Sequence, residues 1–588
     1  MRSLYLDVLK AIAIVAVVLY HCGFLTYGYL GVDIFLVVGG YLITKSLCNK
    51  ILNNGHDEAT IFREYYRFEI SRIIRLLPVL LLAGVACMIL GYYCMLPDNY
   101  ENLSQSVIAT NFFGNNILAA ITTKNYWDVG NNYKPLMHTW YVGLLMQFYF
   151  IYPLFFVISR KSKKNKNGKL LTTVSVFAFI SMLVYFGTIN NAHRFYFLPS
   201  RFFEFAVGGI AALLYKPDNS SNVFNKCFVY ICYTLLLALI VVDKELLQAN
   251  IRLVSVVALT IVLIVSANTL ENRVTANKML AKIGAASFSI YVWHQVVLAF
   301  WRYIYSSHFT VLSFCLYLAI VVFLSWTTYR FVEKKTNGWL KDEKSKRAFY
   351  ATIAVAFLGL SSFAGLIYLK AGVVRDIPEL YISKDNVSRG MHAKYCDNAF
   401  KYDKDFFTDK PHWLVIGNSF GRDFVNIIAE SDIANVVEVS YTDDFKKTGI
   451  EKRFSQADRV FVSSLGLTEA KVTEMEIYAI ANGCSLDKIV IVGEKNFGES
   501  NGQIYVKRGR ANYFGQTIAM EAGYLERNEK LKALYGERFL DLIELVSVGA
   551  GIVRVFTPDH HYISADCRHL SRGGAIYYGQ LIDWAKYL

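Results

Sequence analysis

The ten cysteines form no CxxC pair and no Cys/His group with metal-ligand spacing, so zinc is not indicated and no metal is expected. No stripe of interleaved basic and aromatic residues accompanies the formal charge of +14, so nucleic acid is not an expected partner. A cleavable leader is also not expected. The first apolar run, residues 4–25, carries Asp7, Lys10 and His21 and leads straight into a second run. It reads as a first transmembrane helix with polar groups. Apolar residues, in contrast, are abundant. They make up 54 % of the chain and the mean hydropathy is +0.32, too high for an ordinary soluble protein.

Through about the first 370 positions the apolar residues come in runs of roughly 17–22, enough to span a bilayer and contact membrane lipids. Spans are expected at 4–25, 29–48, 73–95, 141–159, 170–188, 202–216, 226–242, 252–268, 286–304, 311–331 and 349–370. The stretch 104–121 is less apolar and holds Asn111, Gly114, Asn115 and Asn116, so it is expected to be re-entrant or surface-lying. Basic clusters fall in the loops 63–75, 160–169, 216–226, 273–282 and 334–347, all on one side if the N-terminus is cytoplasmic. That places the C-terminal region in an extracytoplasmic compartment.

From about residue 385 the pattern changes. HWLVIGNS, DRVFVSSLG and DKIVIVGEKNFG are short β-rich runs ending in Gly, Asn or Ser, with helical stretches such as 468–482 between them. The alternation predicts a parallel sheet flanked by helices, with ligands at the strands' C-terminal ends. The expected fold is a polytopic α-helical membrane bundle of about ten core transmembrane helices plus one linking helix, followed by an α/β domain. The expected domains are 1–335 for the membrane unit, 336–384 for the linking helix and connector, and 385–588 for the α/β unit.

An ionisable group in a span is a functional candidate by default. The spans supply Lys10, His21, Asp33, Arg72, Arg75, Arg201, Glu204 and His294. Arg72 and Arg75 also fit residues that snorkel from a span end, and His294 fits a helix-packing hydrogen-bond donor. His138 falls in an outer loop. The motifs AIAIVAVVLYH, GVDIFLVVGGYLI, RIIRLLP, LMHTWYVGLLMQFYFIYPL, FLPSRFFEFAVGG, FSIYVWH and YRFVEK occur in one order over residues 5–335. In that order and spacing the sequence resembles the membrane acyltransferase-three family. The resemblance implies transfer of an acyl group, usually acetyl from acetyl-CoA, to a cell-surface glycan such as lipopolysaccharide, capsule or peptidoglycan. Lys10, Arg72 and Arg75 would then hold the polyanionic acyl-CoA donor. His21 would act as base with Asp33 orienting its ring. Arg201, Glu204 and Gln147 are further candidates.

Departures from the pattern are Lys10 for Arg, Gly39-Gly40 for Ser-Gly, and YVGLLMQFY at 141–149 for SLAVEEQFY. Leu145 and Met146 thus replace an acidic pair; if an acid there is essential, the membrane domain is impaired or uses another acid, such as Glu204. The C-terminal part resembles an SGNH-type hydrolase or transferase, often fused behind this membrane module. Ser419 in IGNS stands where the family has GDS, and Asp566 and His569 have its DxxH spacing. These three imply a Ser–His–Asp triad, with Ser419, Gly466 and Asn496 as oxyanion donors. Cys567 lies inside the DxxH and a Cys396–Cys567 disulfide is a candidate tie, permissible outside the cytoplasm. An esterase that trims acetyl groups is an alternative, because it uses the same triad. A transporter is a rival from a different class, since many spans with buried charges also fit one.

Overall fold

The computed structural model describes residues 4–52, 58–122, 129–160, 165–215, 226–242, 247–266, 277–306, 308–335, 343–385 and 391–588. Much of the expected basic loops 160–169, 216–226, 273–282 and 334–347 lies outside the described residues. The chain divides into two compact units. One comprises Met1–Leu90 and Gln105–Gly365, the other Gly91–Ser104 and Leu366–Leu588.

The first unit is a helical bundle. Among the described residues nine helices are long and apolar enough to cross a membrane. They are Leu4–His21, Gly28–Ile51, Phe62–Cys94, Met137–Arg160, Lys166–Gly187, Asn191–Leu214, Ala249–Ser266, Val311–Glu333 and Glu343–Leu369. The other two expected spans correspond to a pair, Lys278–Ala285 and Ser287–Ile304, bent by 65°, and to the shorter apolar helix Cys227–Val241. Helices of this length and composition satisfy their backbone polar groups internally, which is what a bilayer demands. The chain is a multi-pass membrane protein.

Within the bundle, Gly31–Leu47 and Leu198–Leu214 approach closely through glycines. A Cβ at Gly40 would lie 1.9 Å from the Phe205 carbonyl oxygen, and one at Gly208 would lie 2.0 Å from that of Val37. Small residues permit such backbone contact, which replaces the hydrophobic drive missing between helices in lipid. The stretch expected to be re-entrant forms two helices, Pro97–Asn111 and Asn115–Thr122, neither of spanning length.

The second unit is α/β. Strands β1 (His412–Ile416), β2 (Glu438–Thr442), β3 (Arg459–Ser463), β4 (Ile489–Val492) and β6 (Phe539–Leu540) form a parallel sheet in the order β2-β1-β3-β4-β6. Strands β5 (Thr517–Ala519), β7 (Ser547–Gly549) and β8 (Ile552–Arg554) form a small antiparallel sheet. Alternation along each strand feeds two cores. Trp413, Val415, Phe461 and Val490 face one, and Leu414, Ile416, Val460 and Ile489 face the other. Continuous apolar runs in these strands follow from burial on both faces.

A third cluster joins Leu96 to Val373, Ile377, Leu380, Tyr505 and Tyr562. Arg508 Nη1 donates to Tyr93 O at 2.8 Å, and the Arg375 guanidinium lies 4.8 Å and 5.1 Å from the Tyr92 and Tyr505 rings. The segment Gly91–Ser104, whose first residues fall at the end of the expected 73–95 span, is therefore packed into the α/β unit.

Candidate active site

The nucleophile turn follows β1. Gly417 donates from its N–H to Thr442 O at 3.0 Å, and a Cβ there would lie 1.7 Å from Ser463 O, so only glycine fits. Asn418 caps the next helix, Ser419–Ala429, accepting at Oδ1 from Phe420 N at 3.1 Å. The same oxygen accepts from Leu465 N at 3.1 Å, which ties the turn to the loop after β3. An aspartate is not required for either bond. Ser419 is thus the first residue of a helix, where unpaired backbone N–H groups gather.

Ser419 Oγ–H donates to His569 Nε2 at 2.9 Å, and His569 Nδ1–H donates to Asp566 Oδ2 at 2.6 Å. Asp566 Oδ1 accepts from the Arg568 and His569 backbone N–H groups at 3.0 and 2.7 Å. Cys567 between them adopts φ +70°, which folds the DxxH tightly enough for these bonds. Burial opposes ionisation of Asp566, yet the bonds and charge of His569 hold its carboxyl well below the usual carboxylate range. Burial would lower the His569 imidazole, but the hydrogen bond and charge of Asp566, helped by Asp423, raise it above its ordinary value. Lys495 acts in the other direction. Such an arrangement can take a proton from Ser419 and stabilise the resulting imidazolium.

The expected oxyanion donors are placed differently. The Gly466 N–H donates to Glu494 Oε1 at 2.6 Å, and Arg527 holds Glu494 Oε2 at 2.7 and 3.0 Å. That N–H is committed within the protein. Asn496 is buried, and its Oδ1 accepts from Gly498 N and Glu521 N, each at 2.9 Å, while Nδ2 reaches Gly498 O at 3.5 Å. It anchors its own loop. The Ser419 N–H at the helix start is the expected donor not committed in this way.

The expected Cys396–Cys567 disulfide is not formed. Both thiols are free, and the Cys396 S–H points at Ser419 O at 3.8 Å. Sequence reasoning also missed Asp98, at the start of the Pro97–Asn111 helix. Desolvation and the charge of Asp566 push its carboxyl up to about 7, with the charge of His569 acting against them. No local motif marks Asp98; only the packing of Gly91–Ser104 reveals it.

In the bundle, His21 ends the Leu4–His21 helix. Its ring centroid is 5.3 Å from that of His294, which is in turn 5.3 Å from that of His138, so three imidazoles form a file. Arg302 Nη2 donates to the His21 carbonyl at 2.7 Å. Asp33 does not orient the His21 ring as expected. Its carboxylate accepts from Arg201 Nη2 at 2.6 Å, and Arg201 Nη1 pairs with Glu204 at 2.9 Å, all three side chains being buried. The Gly40–Gly208 approach brings these helices close enough for that pair. His21, Asp33 and Arg201, with Trp140 and Arg194, line a cavity of about 200 Å³.

Lys10 pairs with Asp7 at 2.9 Å. The Arg72 guanidinium lies 4.8 and 5.5 Å from the Phe68 and Tyr149 rings, and Arg75 is exposed. Gln147 exchanges amide hydrogen bonds with Asn116 at 3.0 and 3.4 Å. Leu145 and Met146 are buried, and Glu204 is paired with Arg201. Glu69, one turn before Arg72, is a buried acid that the motif reading passed over.

A family model described as an acyltransferase domain matches residues 3–330. Staphylococcus aureus strain COL has a protein provisionally named O-acetyltransferase SACOL0978, 28 % identical over 349 residues covering 56 % of each chain. The O-acetyltransferase OatA of S. aureus strain MRSA252 is 25 % identical over 398 residues, covering 61 % of this chain and 62 % of OatA. The chain thus spans less than two thirds of the length of these relatives. No solved structure matches the chain. With the match running through more than half of its residues, including His21, Asp33 and Arg201, the chain belongs to the acyltransferase-three family.

Proposed function

We propose that this protein is an O-acetyltransferase that moves acetyl from cytoplasmic acetyl-CoA to hydroxyls of a cell-surface glycan, with Ser419 carrying the group on the far side of the membrane. The observation that carries the reading is the Ser419–His569–Asp566 chain, with its 2.9 and 2.6 Å hydrogen bonds. Family membership and relatives named O-acetyltransferases support it. The setting is a bacterial inner membrane, with the N-terminus cytoplasmic and the α/β domain periplasmic or extracellular.

Lys10, Arg72 and Arg75 hold the donor's phosphates, and the acetyl thioester reaches the cavity at His21. From there the acetyl group passes, directly or through a carrier, to Ser419. As Ser419 Oγ bonds to the acyl carbon, its proton moves to His569 Nε2 and then to the departing atom of the donor. A glycan hydroxyl next attacks the acyl-serine. Its proton goes to Nε2, and from there to Ser419 Oγ as the ester forms on the glycan. Serine on a soluble domain solves an access problem, because a polymer cannot enter a helical bundle.

The test is ester-linked acetyl on surface glycans of the native host, measured by NMR for wild type, His21→Ala and Ser419→Ala. Loss in both variants is expected. Loss in the first with retention or increase in the second would make Ser419 a trimming esterase, and wild-type cells without acetyl ester would overturn the reading.

A further inference from the structure

The serine, the Asn496 loop and the histidine loop come from three separate parts of the chain, and one buried ion pair touches all three. Asp423 lies one helical turn after Ser419 in the Ser419–Ala429 helix. Its Oδ2 pairs with Lys495 Nζ at 2.7 Å, and both side chains are 1 % exposed. Lys495 immediately precedes Asn496, and its ammonium sits 3.7 Å from the centroid of the Phe420 ring, next to the nucleophile. The same Asp423 Oδ2 accepts from the N–H of Leu570, which follows His569, at 3.2 Å. A backbone bond closes the ring of contacts, from Phe497 N to Cys567 O at 2.8 Å.

Stability alone does not account for such a pair. Burying two charges loses much hydration, and apolar residues of similar volume often serve stability equally well or better. Removing one partner, however, leaves an uncompensated buried charge. We propose that the Asp423–Lys495 pair is the positioning element of the serine site, locking the nucleophile helix, the Asn496 loop and the His569 loop into one register. This rests on the reading that Ser419 carries the acyl group.

The pair has a second property. Asp423 favours the protonated His569 imidazole and Lys495 disfavours it. Being adjacent and opposite, the two charges largely cancel at the ring. Among the described residues, Asp566, which binds the ring, and Asp98 also lie near it, while the Arg568 guanidinium is directed to Glu521 at 3.7 Å. The clamp therefore fixes geometry while leaving the base's protonation to Asp566 and Asp98. Breaking either half alone exposes the other half's charge to His569.

The test uses the full-length protein in detergent, with a chromogenic phenyl acetate ester as acyl donor and thermal melting as the measure of folding. Asp423→Asn combined with Lys495→Met removes both charges and keeps an acceptor for the Leu570 N–H. It should melt within a few degrees of wild type yet lose about tenfold or more in kcat with little change in KM. Lys495→Met alone should move the acid limb of the pH profile up by roughly half to one unit, and Asp423→Asn alone should move it down by a similar amount. A folded double variant with wild-type kcat would overturn the proposal, as would single variants whose limbs shift the same way or not at all. Should either single variant fail to fold, the double variant still decides. Turnover surviving in Ser419→Ala would instead overturn the serine reading itself, so the two failures are distinguishable.

Discussion

Burial and the charge of Asp566 push the Asp98 carboxyl up to about 7, whereas a free aspartate stands near 4. Between those values the native state binds more protons than the unfolded chain, so this residue makes stability fall as pH rises from about 4 to about 7. Asp98→Asn should therefore raise Tm at pH 8 by about 2–4 °C and leave it unchanged at pH 4. Equal melting of both proteins at pH 8 would contradict the assignment. Asp566 and His569 follow the usual signs. The depressed carboxylate contributes stability above its unfolded pKa that is lost on acidification. The raised imidazole contributes below its unfolded value, and that contribution is lost as pH rises through the folded one. Ser419-dependent turnover should have its acid limb above the ordinary imidazole value near 6.5, and Asp566→Asn should reduce kcat by about 10²- to 10⁴-fold. A pH–rate series on the two proteins checks both. Ser419, Asp566 and His569 were legible as a group because each sits in a short motif. Asp98, Asp423 and Lys495 were not, because their partners are set by packing across the chain. Hydrogen bonds decide Gly466 and Asn496 too: Glu494 takes one N–H, and the Asn496 loop uses the other's amide.

Helices and strands are set by patterns the sequence displays openly. Long apolar runs became helices, and the runs ending in Gly, Asn or Ser became β1, β3 and β4. Length misleads where packing sets the break, as in the 65° bend between Lys278–Ala285 and Ser287–Ile304. Strand β6 is only two residues long, and no pattern of that size stands out. Pairing between helices was harder to read still. Asp33 lies near His21 in sequence, but the Gly40–Gly208 approach gives it to Arg201. Adjacent glycines should therefore differ sharply. A Cβ at Gly39 has its nearest neighbour at 3.7 Å, ordinary contact, whereas at Gly40 it would meet backbone at 1.9 Å. Gly39→Ala should elute and melt like wild type in detergent. Gly40→Ala should lower the melting temperature by several degrees or give aggregated protein, since overpacking costs about 1–3 kcal/mol or more. Similar behaviour of the two variants would mean that this approach is not tight.

For the whole molecule, composition announced a membrane part and a soluble part, and the two compact units agree with that division. What composition did not announce is that the soluble unit also draws in Gly91–Ser104 from within the membrane part of the sequence. The Leu96, Val373, Ile377, Leu380 and Ile382 side chains share a core with Tyr505 and Tyr562. A fragment beginning at residue 385 would lack the first five, leaving their cavity to water. A fragment beginning at residue 366 restores four of them and should melt at least about 5 °C higher by circular dichroism. Coincident melting would place that cluster outside the cooperative unit.

The Asp33–Arg201 contact also has a history in time. Its partners are 168 residues apart, so at about 5–20 residues per second Asp33 is made roughly 10–30 s before its arginine. Throughout that wait Asp33 and the face at Gly40 lack the Leu198–Leu214 helix that covers them. Newborn chains stalled or truncated before residue 201 would present that face to whatever escorts helices into the bilayer, and to the proteases that remove those left unescorted.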